Sequence, residues 1–335
     1  MLPCIIGLSG PVLTADERAL FAQGMPAGFL LFGRNCQSPD QLLRLTDDLR
    51  TLAGNADLPI LIDQEGGRVC RLGPPLWPSF PAAARFGDLY RLAPISGMEA
   101  ARVNAAAAGT VLRQAGINVA CSPLLDLRHP DQSDVVGDRA FGADPLAVAS
   151  LGRAVLDGLA EAGVTGIIKH MPGHGRARTD SHWALPVVEA SEEELGEDLI
   201  PFQRLAGRAR IGMTAHIVYR AWDGERPATL SPLVIDQVIR RRIGFDGLLI
   251  SDDILMAALT GPVEQRALAP LAAGCDLVLH GSGDLAEAHR LFASLPAMTA
   301  AASERLSRAV PGPQAGEQPL EQLLAKRDAL LGLCG

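Results

Sequence analysis

The sequence predicts a single (β/α)₈ TIM barrel, and three observations carry that prediction. Eight short apolar runs recur along the 335 residues, each followed by a longer helical pattern. The runs are continuous rather than alternating, as strands are when both faces of a parallel sheet are covered by helices. No G-x-G-x-x-G follows the first run, which disfavours the dinucleotide-binding form of the competing doubly wound sheet.

Taken in order, the first strand is CIIGLS from Cys4. The helix after it, TADERALFAQ from Thr14, opens with a threonine cap and Glu17 three residues on, a capping-box pattern. GFLLF from Gly28, LPILID from Leu58 and NVACSP from Asn118 give the second, third and fourth strands. DPLAVASLGRAVLDGLAEAG from Asp144 is amphipathic and stops at a glycine, before the fifth strand, GIIKH from Gly166. SEEELGEDLIPFQRLAGRAR from Ser191 repeats the capping box with Glu194 and leads to IGMTAH from Ile211. GLLISDD from Gly247 and CDLVLHG from Cys275 complete the set. AVPGPQAGEQPL from Ala309 reads as a connector, and LEQLLAKRDALLGL as a closing helix. Residues 1–335 are therefore expected to form one catalytic barrel domain, with about 309–335 as connector and closing helix. There is no room for a second large domain, and no internal repeat is visible.

Hydrophobic residues make up 48% and charged residues 20%, enough for a substantial core. The formal net charge is −8 with no basic stripe, which argues against nucleic acid or an anionic membrane surface as partner. Aromatics at 4% are too few for a base-stacking platform. The N-terminal apolar run lacks a preceding positive charge and breaks at Gly7 and Gly10, so it reads neither as a secretory signal nor as a membrane span. The six cysteines are scattered with no C-x-x-C pair, which points to reduced, mostly buried thiols and a cytoplasmic location. No obligate protein partner is evident.

Barrel enzymes build their sites where strands end. Here Asp63 follows the third strand, Lys169 and His170 close the fifth, His216 ends the sixth and Asp252 ends the seventh. IIKHMPGHGRARTDSHWALP, residues 167–186, adds three of the seven histidines. His170 and His174 form an H-x-x-x-H pair, but Pro172 and Gly173 between them break the helix that pair needs, and no metal or cofactor is expected. Asp180 and His182 suit proton transfer: a turn would let the carboxylate hold one imidazole nitrogen and leave the other to the substrate, with Gly173 and Gly175 letting the loop move. A solvated loop with an incidental D-x-H is the competing reading. In GLLISDD, Asp252 and Asp253 should point to different sides, so that one carboxylate faces the axis and could attack an electrophilic carbon, while Asp253 serves as a helix cap. In LIDQEGGRVCRL, Asp63 with Arg68 and Arg71 could grip adjacent sugar hydroxyls, and Arg139 in VVGDRAFG is a further donor.

Together LIDQEGGRVCRL, VVGDRAFG, GIIKHMPGHGRARTDSH and LLISDDILM resemble the motifs of glycoside hydrolase family 3, and most closely its bacterial β-N-acetylglucosaminidases of cell-wall recycling. GFLLFGRN and AGCDLVL agree in the same order, and the resemblance runs from about residue 5 to about 280. Met171 departs from it, since the family usually has phenylalanine there, which changes packing rather than chemistry. The tail after Leu279 shows no matching motif. The resemblance implies Asp252 as nucleophile, His182 as general acid/base and Asp180 as its orienting partner. It implies that Asp63, Arg71, Arg139, Lys169 and His170 hold the sugar. Relatives acting on glucosides commonly take their acid/base carboxylate from a second domain; with no such domain here, the acid is expected from the barrel itself.

The implied activity is removal of terminal β-linked N-acetylglucosamine with retention. The implied substrates are muropeptides carrying N-acetylglucosamine on anhydro-N-acetylmuramic acid. A β-glucosidase or glycoside phosphorylase on the same barrel is the alternative, and an inactive sugar-binding barrel a further one. If His182 is not the acid, His174 and Glu65 are the next candidates.

Overall fold

The computed structural model describes residues 1–130, 132–310 and 318–334. Every predicted apolar run is a strand: β1 Leu2–Gly7, β2 Pro26–Leu31, β3 Ile60–Ile62, β4 Val119–Ala120, β5 Thr165–Met171, β6 Ile211–Thr214, β7 Leu248–Asp253 and β8 Leu277–His280. They pair in parallel and in chain order, and β1 closes the barrel against β8 with Cys4 opposite Val278. Ile5, Leu61, Val119, Ile167, Ile211, Ile250 and Leu277 fill the interior as one apolar plug. The intervening strand residues, among them Phe29, Ile60, Ile62, Ile168 and Leu249, pack outward under the helices. Both faces are buried, which is why the runs carry no alternation. Each such side chain stabilises the fold by roughly 1.5–3 kcal/mol.

The outer ring comprises α1 Ala15–Gln23, α2 Pro39–Ala53, α3 Ala83–Leu92, α4 Pro94–Gln114, α5 Pro145–Glu161 and α6 Glu192–Leu205. The helical segment Val234–Arg242, α7 Val263–Ala273 and α8 Leu285–Ser294 continue it. Both predicted capping boxes form. Thr14 Oγ1 accepts the Glu17 N–H at 3.1 Å while Glu17 accepts the Thr14 N–H at 2.9 Å, and Ser191 and Glu194 do the same at 3.3 and 2.8 Å. Such a cap is worth about 1 kcal/mol.

The chain after β8 closes the opposite end of the barrel. Helix α9, Ala300–Ala309, sets Leu306 and Ala309 against the plug. Arg305 ties it to Asp246 and Asp276 at the strand starts, and Thr165 donates to the Ala309 carbonyl at 2.9 Å. Residues 311–317 of the expected connector lie outside the described residues. The closing helix is α10, Leu320–Leu331, docked on α4 through buried Arg327, which donates to the Ser79 carbonyl and to Asn104 Oδ1. With this end of the barrel sealed, the strands' C-terminal ends form its open mouth. No helix among the described residues is long and apolar enough to cross a membrane. All six cysteines are free; three are buried and three half-buried.

Candidate active site

Strand alternation builds the first part of the site. Two residues beyond the plug members Leu61, Ile167 and Ile250 stand Asp63, Lys169 and Asp252, which therefore face the barrel axis one layer higher. They line a cavity of about 270 Å³ together with Arg71, Arg139, His170 and His182. All five residues expected to hold a sugar are thus gathered around the two expected to react with it, and Asp180 stands behind His182.

Two neighbours break the alternation. The register of β5 against β6 shifts between Ile168 and Met171, and that of β7 against β8 between Ile250 and Asp253. At such irregularities consecutive side chains turn to the same side. His170 joins Lys169 at the cavity, and Asp253 joins Asp252 there, so the expectation that the two aspartates part company is corrected. Asp253 does act locally as well, accepting the N–H of Leu255 at 3.1 Å and of Gly281 at 3.3 Å. His216 is the opposite case. It is fully buried between Thr229 Oγ1 at 2.8 Å and the Asp253 carbonyl at 3.1 Å, and it supports β7 rather than the cavity. Arg68 also turns away, to Asp138 and the carbonyls of residues 134–136.

One wall is a charged network. Arg71 contacts Asp63 at 3.0 Å, Lys169 reaches Asp63 at 3.5 Å and Glu65 at 2.6 Å, and Arg139 forks onto both Glu65 oxygens at 2.8 Å. Glu65 rides on the hairpin Gln64–Gly66/Val69–Cys70, which follows β3. Burial raises the Glu65 carboxyl, but Lys169 and Arg139 outweigh it and hold the group far below the usual carboxylate range. Burial lowers the Lys169 ammonium, and Glu65 and Asp63 reverse that. Glu65, Lys169 and Arg139 are thus held in their ionised forms. Buried charges are poor stabilisers, but they offer rigid, oriented donors and acceptors to a ligand of hydroxyl groups.

The second wall holds Asp252. Burial raises its carboxyl, yet the His170 and His216 rings, the Asp253 N–H and Lys169 together keep it below the ordinary aspartate value. Burial pushes Asp253 the other way, to about 6, with the Asp252 charge adding to the rise. His170 presents Nε2 to Asp252 at 4.0 Å because its Nδ1 is held by Asp126 at 2.8 Å. Asp126 also accepts the backbone N–H of His170 at 3.1 Å and of His174 at 2.7 Å. This carboxylate escaped the sequence reading. Its signal was an aspartate in SPLLDLRHP, just past the fourth strand.

The third wall is the histidine loop after β5. Gly173 and Gly175 anchor it. Gly173 has φ +137°, and its carbonyl accepts the Tyr219 hydroxyl at 2.7 Å; a Cβ on Gly175 would meet the Leu127 carbonyl at 2.1 Å. Beyond them Asp180 and Trp183 form a turn, with the Trp183 N–H on the Asp180 carbonyl at 3.0 Å. Asp180 Oδ1 takes both the backbone N–H of His182 at 2.8 Å and its Nδ1 at 2.7 Å. An ionised carboxylate only accepts, so Nδ1 carries the proton and Nε2 is left for chemistry. Burial raises the Asp180 carboxyl, but the two His182 bonds win and lower it.

Residues 9–309 match the N-terminal domain of glycosyl hydrolase family 3. The chain belongs to that family. A β-hexosaminidase of Alkalilimnicola ehrlichii is 40% identical over 281 residues, which span 83% of this chain and 80% of the relative. NagZ from Neisseria gonorrhoeae, solved in complex with N-trifluoroacetyl-D-glucosamine, superposes with a TM-score of 0.88 at 30% identity over 99% of this chain and 98% of that one. The same protein in complex with zinc ion superposes at 0.87, again at 30% identity and with the same coverage.

As a family 3 barrel, the chain fits Met171 by packing: the side chain is fully buried, and its Cε lies 2.6 Å from where a Cβ on Gly212 would sit. Neither reserve candidate for the acid suits the part. Glu65 is locked in its ion pairs, and burial lowers the His174 imidazole to about 4. Among the described residues no group of three or more His, Cys, Asp or Glu side chains is placed to hold a metal ion.

Proposed function

We propose that this glycoside hydrolase removes terminal, non-reducing β-linked N-acetylglucosamine by a retaining double displacement. That it is a β-N-acetylhexosaminidase of family 3 rests on its relatives. The finer reading rests above all on one observation: a carboxylate-held histidine and an ionised aspartate share one cavity, both supplied by the barrel. Asp252 attacks the anomeric carbon and His182 protonates the departing oxygen. The resulting glycosyl ester is then hydrolysed by a water that His182 deprotonates. Retaining glycosidases usually use two carboxylates for these steps; here a histidine takes the second role, and Asp180 stabilises the imidazolium as the carboxylate does in hydrolase triads. Asp63, Arg71, Arg139, Lys169 and His170 hold the sugar hydroxyls and the acetamido group. The substrates we infer are muropeptides carrying N-acetylglucosamine on anhydro-N-acetylmuramic acid, turned over in the cytoplasm by the barrel as a single catalytic unit.

The relative rates on nitrophenyl N-acetylglucosaminide, glucoside and N-acetylgalactosaminide test the substrate assignment. The first is expected to be turned over fastest, and a faster glucoside would overturn it. Phosphorolysis is excluded when product formation is the same in phosphate as in an inert buffer. Treatment with EDTA is expected to leave the rate unchanged, because Pro172 and Gly173 interrupt the histidine pair. A loss restored by zinc would instead make His170, His174 and His182 ligands.

A further inference from the structure

The proposed acid/base stands on an exposed part of its loop. The His182 side chain is 58% exposed, and Trp183 beside it is 81% exposed. Packing alone does not fix such an imidazole. Ser181, between Asp180 and His182, is by contrast 2% exposed. Its Oγ lies 3.2 Å from His174 Nε2, and its carbonyl accepts the Ala258 N–H at 3.1 Å. The loop is therefore held at the residue between the two members of the proposed dyad.

His174 is itself well fixed. It is buried, its N–H is bound by Asp126, and its ring sits edge-on to His170 with centroids 5.6 Å apart. Its Nδ1 is buried with no hydrogen-bond partner, so Ser181 supplies the ring's one hydrogen bond among the described residues. For packing alone an apolar side chain would fill the place without an unsatisfied nitrogen. Asp126 binds His170 as well, and His170 faces Asp252. A continuous chain of contacts thus runs from Asp252 through His170, Asp126 and His174 to Ser181, the residue next to His182.

We propose that His174 and Ser181 are positioning residues that tie the loop down and set His182 at the leaving-group oxygen. The proposal rests on the reading of His182 as the acid/base. His174 transfers no proton in it.

The test compares single-turnover rates of the purified enzyme on an N-acetylglucosamine disaccharide and on its nitrophenyl glycoside. Ser181→Ala is expected to slow the disaccharide roughly tenfold to a hundredfold, the scale of a small misplacement of a catalytic group. The nitrophenyl glycoside should be nearly unaffected, and KM should stay close to the parent value for both, because Ser181 is not among the residues proposed to hold the sugar. At position 174 the side-chain amide of glutamine reaches the place of Nε2, whereas that of asparagine reaches only the place of Nδ1. His174→Gln should therefore recover most of the disaccharide rate and His174→Asn should not. A parent-like Ser181→Ala, equal losses on both substrates, or equal rescue by glutamine and asparagine would overturn the proposal. His182→Ala, run alongside, separates the two failures. If it shows no leaving-group dependence, the acid/base reading falls; if it does and Ser181→Ala does not, only the tie falls.

Discussion

Asp252→Ala should abolish turnover, with a loss of kcat on the order of 10⁴-fold or more, the scale seen when a hydrolase loses its nucleophile. The fold should survive. The carboxylate sits at a strand end above the plug, and its local partners are the Asp253 N–H and the His170 ring, so no apolar packing is lost with it. A buried charge held for chemistry is seldom a net stabiliser. The neighbouring Asp253 makes this a sharp test, since both carboxylates line the cavity. Two differences favour Asp252. Its carboxyl is held below the ordinary aspartate value, whereas burial raises Asp253 to about 6. Asp253 is also engaged by the N–H groups of Leu255 and Gly281. A 2-fluoro or 5-fluoro sugar probe should accordingly label Asp252. Label on Asp253, or a turning-over Asp252→Ala enzyme, would reverse the assignment.

The barrel was legible because its determinants are local. A run such as GLLISDD needs only its own residues to declare a strand covered on both sides, and Thr14 with Glu17 needs only three-residue spacing to declare a helix start. The inward set of the site was legible for the same reason, since Asp63, Lys169 and Asp252 follow plug residues by two. What escaped depends on contacts between distant segments. Asp126 matters because β4 and β5 lie side by side, which brings it to His170, 44 residues away. His216 looked like a mouth residue until the segment carrying Thr229 covered it. Asp253 reached the cavity through a register shift that no alternation rule foresees. Helix α9 had no motif, because sealing the barrel end asks only for an apolar face and one well-placed arginine. Gly173 and Gly175 let the loop pass close to its neighbours, which depends on segments far away in the sequence.

Replacing His182 by alanine should harm substrates in proportion to the basicity of their leaving group. A sugar alkoxide is a poor leaving group and needs a proton as the bond breaks, whereas a nitrophenolate departs with little help. The first step should slow by about 10²- to 10⁴-fold on a disaccharide or muropeptide, the usual worth of a general acid, and by about tenfold or less on the nitrophenyl glycoside. The second step loses its base, so the glycosyl-enzyme should accumulate on the activated substrate, and azide should speed its release. Asp180→Asn should show a weaker version of the same pattern: the ring remains, but the ionised acceptor that fixes the proton on Nδ1 and stabilises the imidazolium is gone. Single-turnover rates on the two substrates decide the matter. Equal losses on both would mean that His182 only binds the sugar. Neither Glu65 nor His174 would then be ready to serve, since Glu65 is locked by Lys169 and Arg139 and burial keeps His174 neutral, and Asp253, raised to about 6 at the same cavity, would be the next group to test.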